Sequence, residues 1–172
     1  MISQPKVLIT RDEIEQAVTR LAAEIKRDYQ NSHPLLIGTL KGSFIFLADL
    51  IRHLDIPLDI DFVQLSSYGS RKETSGKVTL VQGLKTPIKG KHLLVVEDIV
   101  DTGLTISTLL DYLRKKKPAS LKLCALSDKP SRRQVPVDIH YLGFTVPNKF
   151  IVGYGTDWNE NFRNLPDICS IE

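Results

Sequence analysis

Residues 93–108 read LLVVEDIVDTGLTIST, and the order of residue types in this stretch decides the fold. Leu93, Leu94, Val95 and Val96 form a short, unbroken apolar run, which predicts a strand buried on both faces and therefore a parallel sheet. Glu97 and Asp98 follow at the carboxyl end of that run, where open α/β sheets bind their ligands. Thr102, Gly103 and Thr105 fill the turn into a helix that the pattern carries to about Lys117. The first turn of a helix leaves N–H groups unpaired and its dipole favours an anion, so this turn suits a phosphate. Glu97, Asp98 and Asp101 would repel that phosphate unless they bound something else. Carboxylates accept from the hydroxyls of a sugar diol, and Mg²⁺ prefers hard oxygen ligands, so a sugar and a magnesium ion are the natural occupants.

Outward from this stretch, strands and helices alternate. Thr10 with Glu13 three residues later is a capping box, and Ile14, Ala17, Val18, Leu21, Ala22 and Ile25 continue at helical spacing. Residues 34–40 predict a buried strand, and Lys41-Gly42-Ser43 turn into a helix expected to carry Phe44, Leu47, Ala48 and Ile51 inward. Residues 58–65 alternate like a strand, and further strands are expected at 78–82, 120–126, 138–144 and 150–152. Between them SSYGSRKETSG, residues 66–76, holds one aromatic ring among small, polar and charged side chains, which predicts a mobile loop with little apolar surface to bury. No repeat, low-complexity tract or linker breaks the chain, so residues 1–172 are expected to form a single domain. The succession β–α–β, hairpin, β–α–β argues for an α/β fold with a mainly parallel central sheet flanked by helices.

Composition bounds the function. At 172 residues, folding buries about 70% of the surface of the unfolded chain, so no staple is needed. The net charge of +3, from 23 basic and 20 acidic residues, is too small to argue for nucleic-acid binding. The basic run Arg114-Lys115-Lys116-Lys117 falls where the long helix should end and complements its dipole. Cys124 and Cys169 are far apart and lack a CxxC spacing, so free thiols are expected. None of His33, His53, His92 and His140 falls in a metal-ligand pattern. The start, MISQPKVLIT, has neither a basic region nor a long apolar core, and the most apolar later helix contains Asp49, so no membrane partner and a cytoplasmic location are expected.

VVEDIVDTGLT resembles the phosphoribosyl-pyrophosphate (PRPP) signature of the type I phosphoribosyltransferases, in the version found in hypoxanthine-guanine enzymes. Other landmarks of that family recur in order along nearly the whole chain: LKG at 40–42, SSYG at 66–69, DKP at 128–130 and NKFIVGYGTDWNENFR at 148–163. The resemblance implies a small hood over the ligand cleft, built from the N-terminal segment and the region after about residue 128. It implies purine salvage: displacement of pyrophosphate from C1 of PRPP by N9 of hypoxanthine or guanine, giving IMP or GMP.

Under that resemblance Glu97 and Asp98 bind the ribose hydroxyls and, directly or through water, the Mg²⁺ cofactor, with Asp157 a second magnesium contact. Asp101 matches the general base near N7 of the purine, although an Asp ahead of a helix also suits an N-cap, and both roles stay open. Thr102, Gly103, Leu104 and Thr105 match the loop that cradles the 5′-phosphate, with Leu104 contributing only its backbone. Lys41, Gly42 and Arg163 match pyrophosphate ligands, and the peptide bond before Lys41 can be cis in the family. Ser67 and Tyr68 match a lid that closes over PRPP. Lys129 matches the donor to O6 of the purine, which favours a 6-oxopurine over adenine because an ammonium cannot accept. Phe150 matches the ring that stacks on the base, Ile151 a backbone contact to its Watson–Crick edge, and Asp157 lies close to the same edge. A homodimer or homotetramer is implied. Two alternatives stay open: a phosphoribosyltransferase preferring another base such as xanthine, and a regulatory RNA-binding protein on the same fold, against which the intact EDIVDTG, Lys129, Phe150 and the weak basic charge all weigh.

Overall fold

The computed structural model describes residues 4–67 and 78–171. In chain order its elements are β1 (Lys6–Ile9), α1 (Arg11–Tyr29), β2 (Leu35–Leu40), α2 (Phe44–His53), β3 (Asp59–Ser67), β4 (Val78–Gln82), β5 (His92–Val100), α3 (Leu104–Arg114), β6 (Ser120–Asp128), β7 (Tyr141–Thr145), β8 (Phe150–Val152) and β9 (Ile168–Ile171). Six strands form the main sheet in the order β4-β3-β2-β5-β6-β7, with every neighbour parallel except β3 and β4.

The expected parallel sheet is present, and β5 lies at its centre because it can be buried on both faces. Leu94 and Val96 pack into the core with α1 and α2, whereas Leu93 and Val95 pack on the other side with Ile106, Leu109, Leu110 and Leu113 of α3. All four strand residues are fully buried. The result is three layers, with α1 and α2 on one face of the sheet and α3 on the other.

Helix α1 begins as its sequence dictates. Glu13 N–H donates to Thr10 Oγ1 and Thr10 N–H donates to Glu13 Oε2, and all six residues expected on the apolar face are buried. Helix α2 is turned from the expected orientation. Phe46, Leu47 and Leu50 are buried, but Phe44 is 44% exposed and Ala48 and Ile51 are only partly covered. Its sequence FIFLADLI is apolar on nearly every side, so periodicity could not choose the inward face.

Several boundaries also move. Strand β5 continues through Glu97 and Asp98 to Val100, because its pairing with β6 persists to Asp128. Helix α3 ends at Arg114 rather than Lys117, and β7 starts at Tyr141 rather than residue 138. The segment expected to loop out at 66 stays paired through Ser66 and Ser67, opposite Thr79 and Val78. The expected lid residue Tyr68 lies outside the described residues.

A second, three-stranded antiparallel sheet, in the order β1-β9-β8, joins the two ends of the chain as a small hood, whereas β7, which also lies after residue 128, is the edge strand of the main sheet. No helix among the described residues is long and apolar enough to cross a membrane. Cys124 and Cys169 are buried free thiols.

Candidate active site

Three neighbouring strands end at one place. Lys41 follows β2, Asp98 and Asp101 lie at the end of β5, and Lys129 follows β6. The segment 148–163 of the hood faces them across a cavity of about 540 Å³. Its lining includes Lys41, Gly42, Asp98, Asp101, Lys129, Phe150, Ile151, Asp157 and Arg163, each singled out from the sequence. A second cavity of about 90 Å³ is lined by Glu97, Asp101, Thr102, Gly103 and Thr105 at the start of α3. Ile99 and Asp101 line both, so the two spaces meet at the end of β5.

Glu97 is only 8% exposed and its Oε1 accepts from Thr39 Oγ1 at 2.8 Å and from the Asp98 N–H at 3.1 Å. Burial pushes its carboxyl well above the ordinary glutamate value, and the neighbouring Asp98 pushes in the same direction. Asp98 is held beside the Lys41-Gly42 turn, where a Cβ on Gly42 would come within 2.0 Å of Asp98 Oδ2. The turn follows a cis peptide bond between Leu40 and Lys41.

Asp101 does not cap α3. The N-cap is Gly103, whose φ of +86° is the left-handed conformation that glycine adopts without strain. Freed from that role, the Asp101 carboxylate faces cations: Oδ1 lies 3.1 Å from Arg132 Nε, and Oδ2 lies 3.9 Å from Lys129 Nζ. Oδ1 is buried, and apart from this ion pair with Arg132 it makes no hydrogen bond among the described residues. The loop behind it is braced by Arg133, which pairs with Asp128 and donates from Nε to the Asp101 carbonyl at 3.1 Å. Thr102 Oγ1 accepts from the Leu104 N–H at 3.3 Å, which holds the turn leading into the helix.

Lys129 is 5% exposed, and burial holds its ammonium below the ordinary lysine range against the pull of Asp101. Opposite it, the Phe150 ring is 46% exposed and meets Trp158 edge-on, with ring centres 4.7 Å apart. Trp158 itself packs on Val152, Cys169 and Ile171, so it backs the exposed ring. Arg163 Nη1 donates to the Gly155 carbonyl at 2.8 Å and Nη2 lies 2.9 Å from Asp157 Oδ1, while its buried Nε has no hydrogen-bond partner among the described residues. Among those residues no group of three or more His, Cys, Asp or Glu side chains gathers as a metal cage. Glu97 and Asp98 are adjacent on β5, whereas Asp157 stands on the hood, engaged with Arg163.

Thr39, Ile99, Arg132, Asn148, Lys149 and Thr156 join the site without having been singled out from the sequence. Only Thr39, two residues before Lys41 in GTLKG, carried a local signal, as a hydroxyl near the end of an otherwise apolar strand.

Comparison with known proteins gives this arrangement its class. The family model for the phosphoribosyl transferase domain matches residues 9–159, and the chain belongs to the phosphoribosyltransferase family. Its similarity to particular members is narrower. It is 46% identical over 163 residues to the hypoxanthine-guanine phosphoribosyltransferase of Bacillus subtilis (strain 168), covering 95% of this chain and 91% of the relative. Against the hypoxanthine-guanine phosphoribosyltransferase of Aquifex aeolicus it is 46% identical over 168 residues, covering 97% of this chain and 94% of that one. A crystal structure of a hypoxanthine-guanine phosphoribosyltransferase from Bacillus anthracis superposes with a TM-score of 0.93 at 45% identity, covering 100% of this chain and 99% of that chain. The resemblance read from the motifs, and the α/β fold it implied, are borne out.

Proposed function

We propose that this chain is a magnesium-dependent purine salvage enzyme that transfers the 5-phosphoribosyl group of PRPP to N9 of hypoxanthine or guanine, releasing pyrophosphate. The observation that carries the reading is the placement of Asp101, which lines both cavities and sets its carboxylate beside Lys129 and Arg132. In this reading the small cavity takes the 5′-phosphate on the amides and hydroxyls of Thr102, Gly103, Leu104 and Thr105. The large cavity takes the purine on one side and pyrophosphate on the other.

The purine stacks on Phe150, receives a hydrogen bond at O6 from Lys129, and meets the backbone of Ile151 and the neighbourhood of Asp157 along its Watson–Crick edge. Asp101 accepts the proton at N7, which makes the ring a better nucleophile. Lys41, Gly42 and Arg163 hold the leaving pyrophosphate, and the unpaired Arg163 Nε suits an oxyanion. Ser67 and Tyr68 belong to the closing lid.

The donor set fits Mg²⁺. Glu97, Asp98 and Asp157 offer hard carboxylate oxygens, and Mg²⁺ commonly takes one or two carboxylates and completes its shell with substrate oxygens and water, so a three-residue cage is not required. The ion would neutralise charge on the pyrophosphate as it departs. Glu97 and Asp98 also accept from the ribose hydroxyls and hold the sugar still while positive charge grows at C1. A cytoplasmic location and an assembly of two or four chains belong to the same reading. Equal release of IMP and pyrophosphate from PRPP and hypoxanthine tests it; hydrolysis of PRPP without nucleotide formation would refute it.

A further inference from the structure

One carboxylate bridges the two cations assigned to pyrophosphate. Glu160 Oε2 accepts from Lys41 Nζ at 2.9 Å, and Glu160 Oε1 accepts from Arg163 Nη2 at 3.3 Å. Lys41 follows β2 in the main sheet and Arg163 lies beyond β8, so the bridge spans the cleft from core to hood. Glu160 is aimed by its backbone. It has a φ of +64°, follows Asn159 at +48°, and donates its N–H to Asp157 Oδ2 at 2.7 Å. A residue other than glycine seldom adopts this left-handed conformation, so two in succession mark a turn held by its surroundings.

We infer that Glu160 is an internal competitor for the pyrophosphate subsite, its two carboxylate oxygens occupying Lys41 and Arg163 until a phosphoryl group displaces them. The inference rests on the proposed reading of Lys41 and Arg163 as pyrophosphate ligands. Exposed ion pairs are weak, and the Glu160 side chain is 65% exposed, so the contact yields readily to a more highly charged anion. Arg163 Nη2 is also held by Asp157 Oδ1 at 2.9 Å, so the competition falls chiefly on Lys41. Glu160 lowers the fraction of molecules in which that ammonium is open, and apparent affinity falls by that fraction. The consequence is an enzyme that holds its product pyrophosphate more loosely than Lys41 and Arg163 alone would.

Binding of magnesium pyrophosphate to the full chain, by calorimetry and as product inhibition, tests this. Glu160→Gln keeps the shape and removes the charge. It is expected to tighten pyrophosphate by about two- to fivefold, the range that an exposed ion pair supplies. Affinity for the nucleoside monophosphate should not change, and in a Lys41→Ala background the gain should largely disappear. Unchanged or weaker pyrophosphate binding in Glu160→Gln, with Lys41→Ala still weakening it, would overturn the competitor role and make Glu160 a support for its two partners. Unchanged binding in Lys41→Ala alone would instead show that the pyrophosphate assignment beneath the inference is wrong.

Discussion

The Asp98 carboxylate fills the space that a side chain at Gly42 would need: a Cβ built there would stand 2.0 Å from Asp98 Oδ2 and 2.6 Å from Cγ. The turn after β2 and the acid in β5 are therefore mutually dependent. Gly42→Ala would move the end of a flexible side chain, so stability should change little, while activity should fall on the order of tenfold to a hundredfold as Asp98 leaves its place. Gly155→Ala behaves differently. Its φ is +98° and its Cβ would meet the backbone oxygen of Gly42 at 2.3 Å, so it should lower stability by about 1–3 kcal/mol as well as activity. Thermal melts and steady-state kinetics on both variants check this; a larger stability loss for Gly42→Ala would contradict it.

Asp101 and Lys129 should separate in kinetics although their charged atoms are 3.9 Å apart. Asp101→Ala is expected to lower kcat by about 10²–10⁴-fold with little change in PRPP affinity, as the loss of a general base does. Lys129→Ala should act mainly on the 6-oxopurine, with a loss of about 1–3 kcal/mol in kcat/KM. Small, equal effects of both substitutions would show that the roles are misassigned.

Glu97 should cost the protein stability in exchange for function. Burial raises its carboxyl above the unfolded value, so the folded chain holds its proton to higher pH than the unfolded chain. The penalty is absent below the unfolded pKa and grows as pH rises towards the folded one. Glu97→Gln, melted without magnesium or PRPP, should therefore gain stability at neutral and mildly alkaline pH, gain little at acid pH, and bind PRPP poorly. A variant less stable than wild type at every pH would show that the Thr39 and Asp98 hydrogen bonds outweigh the cost of burial.

Much of this was legible in the sequence because the informative residues are contiguous. The apolar run 93–96 can be buried on both sides, the acids and the Gly–Thr turn follow within one segment, and α1 carries a strict period with a capping box. What escaped depends on partners distant in the chain. Strands β1 and β9 are four residues each and pair with one another across the molecule, so neither announces itself alone. The inward face of α2 was ambiguous because its apolar residues nearly encircle it. Arg132 and Thr39 matter only because folding brings them beside Asp101 and Glu97. Whether Asp101 capped the helix or faced the cleft was decided by Gly103, which takes the cap with its backbone alone.

The most direct test is nucleotide formation by purified protein with PRPP and Mg²⁺, run in parallel on hypoxanthine, guanine, xanthine, adenine and uracil. Turnover of hypoxanthine and guanine with little on adenine or uracil is the predicted result, because Lys129 can donate to O6 but cannot accept from an amino group. No turnover on any base, despite measurable binding of PRPP, would contradict the account.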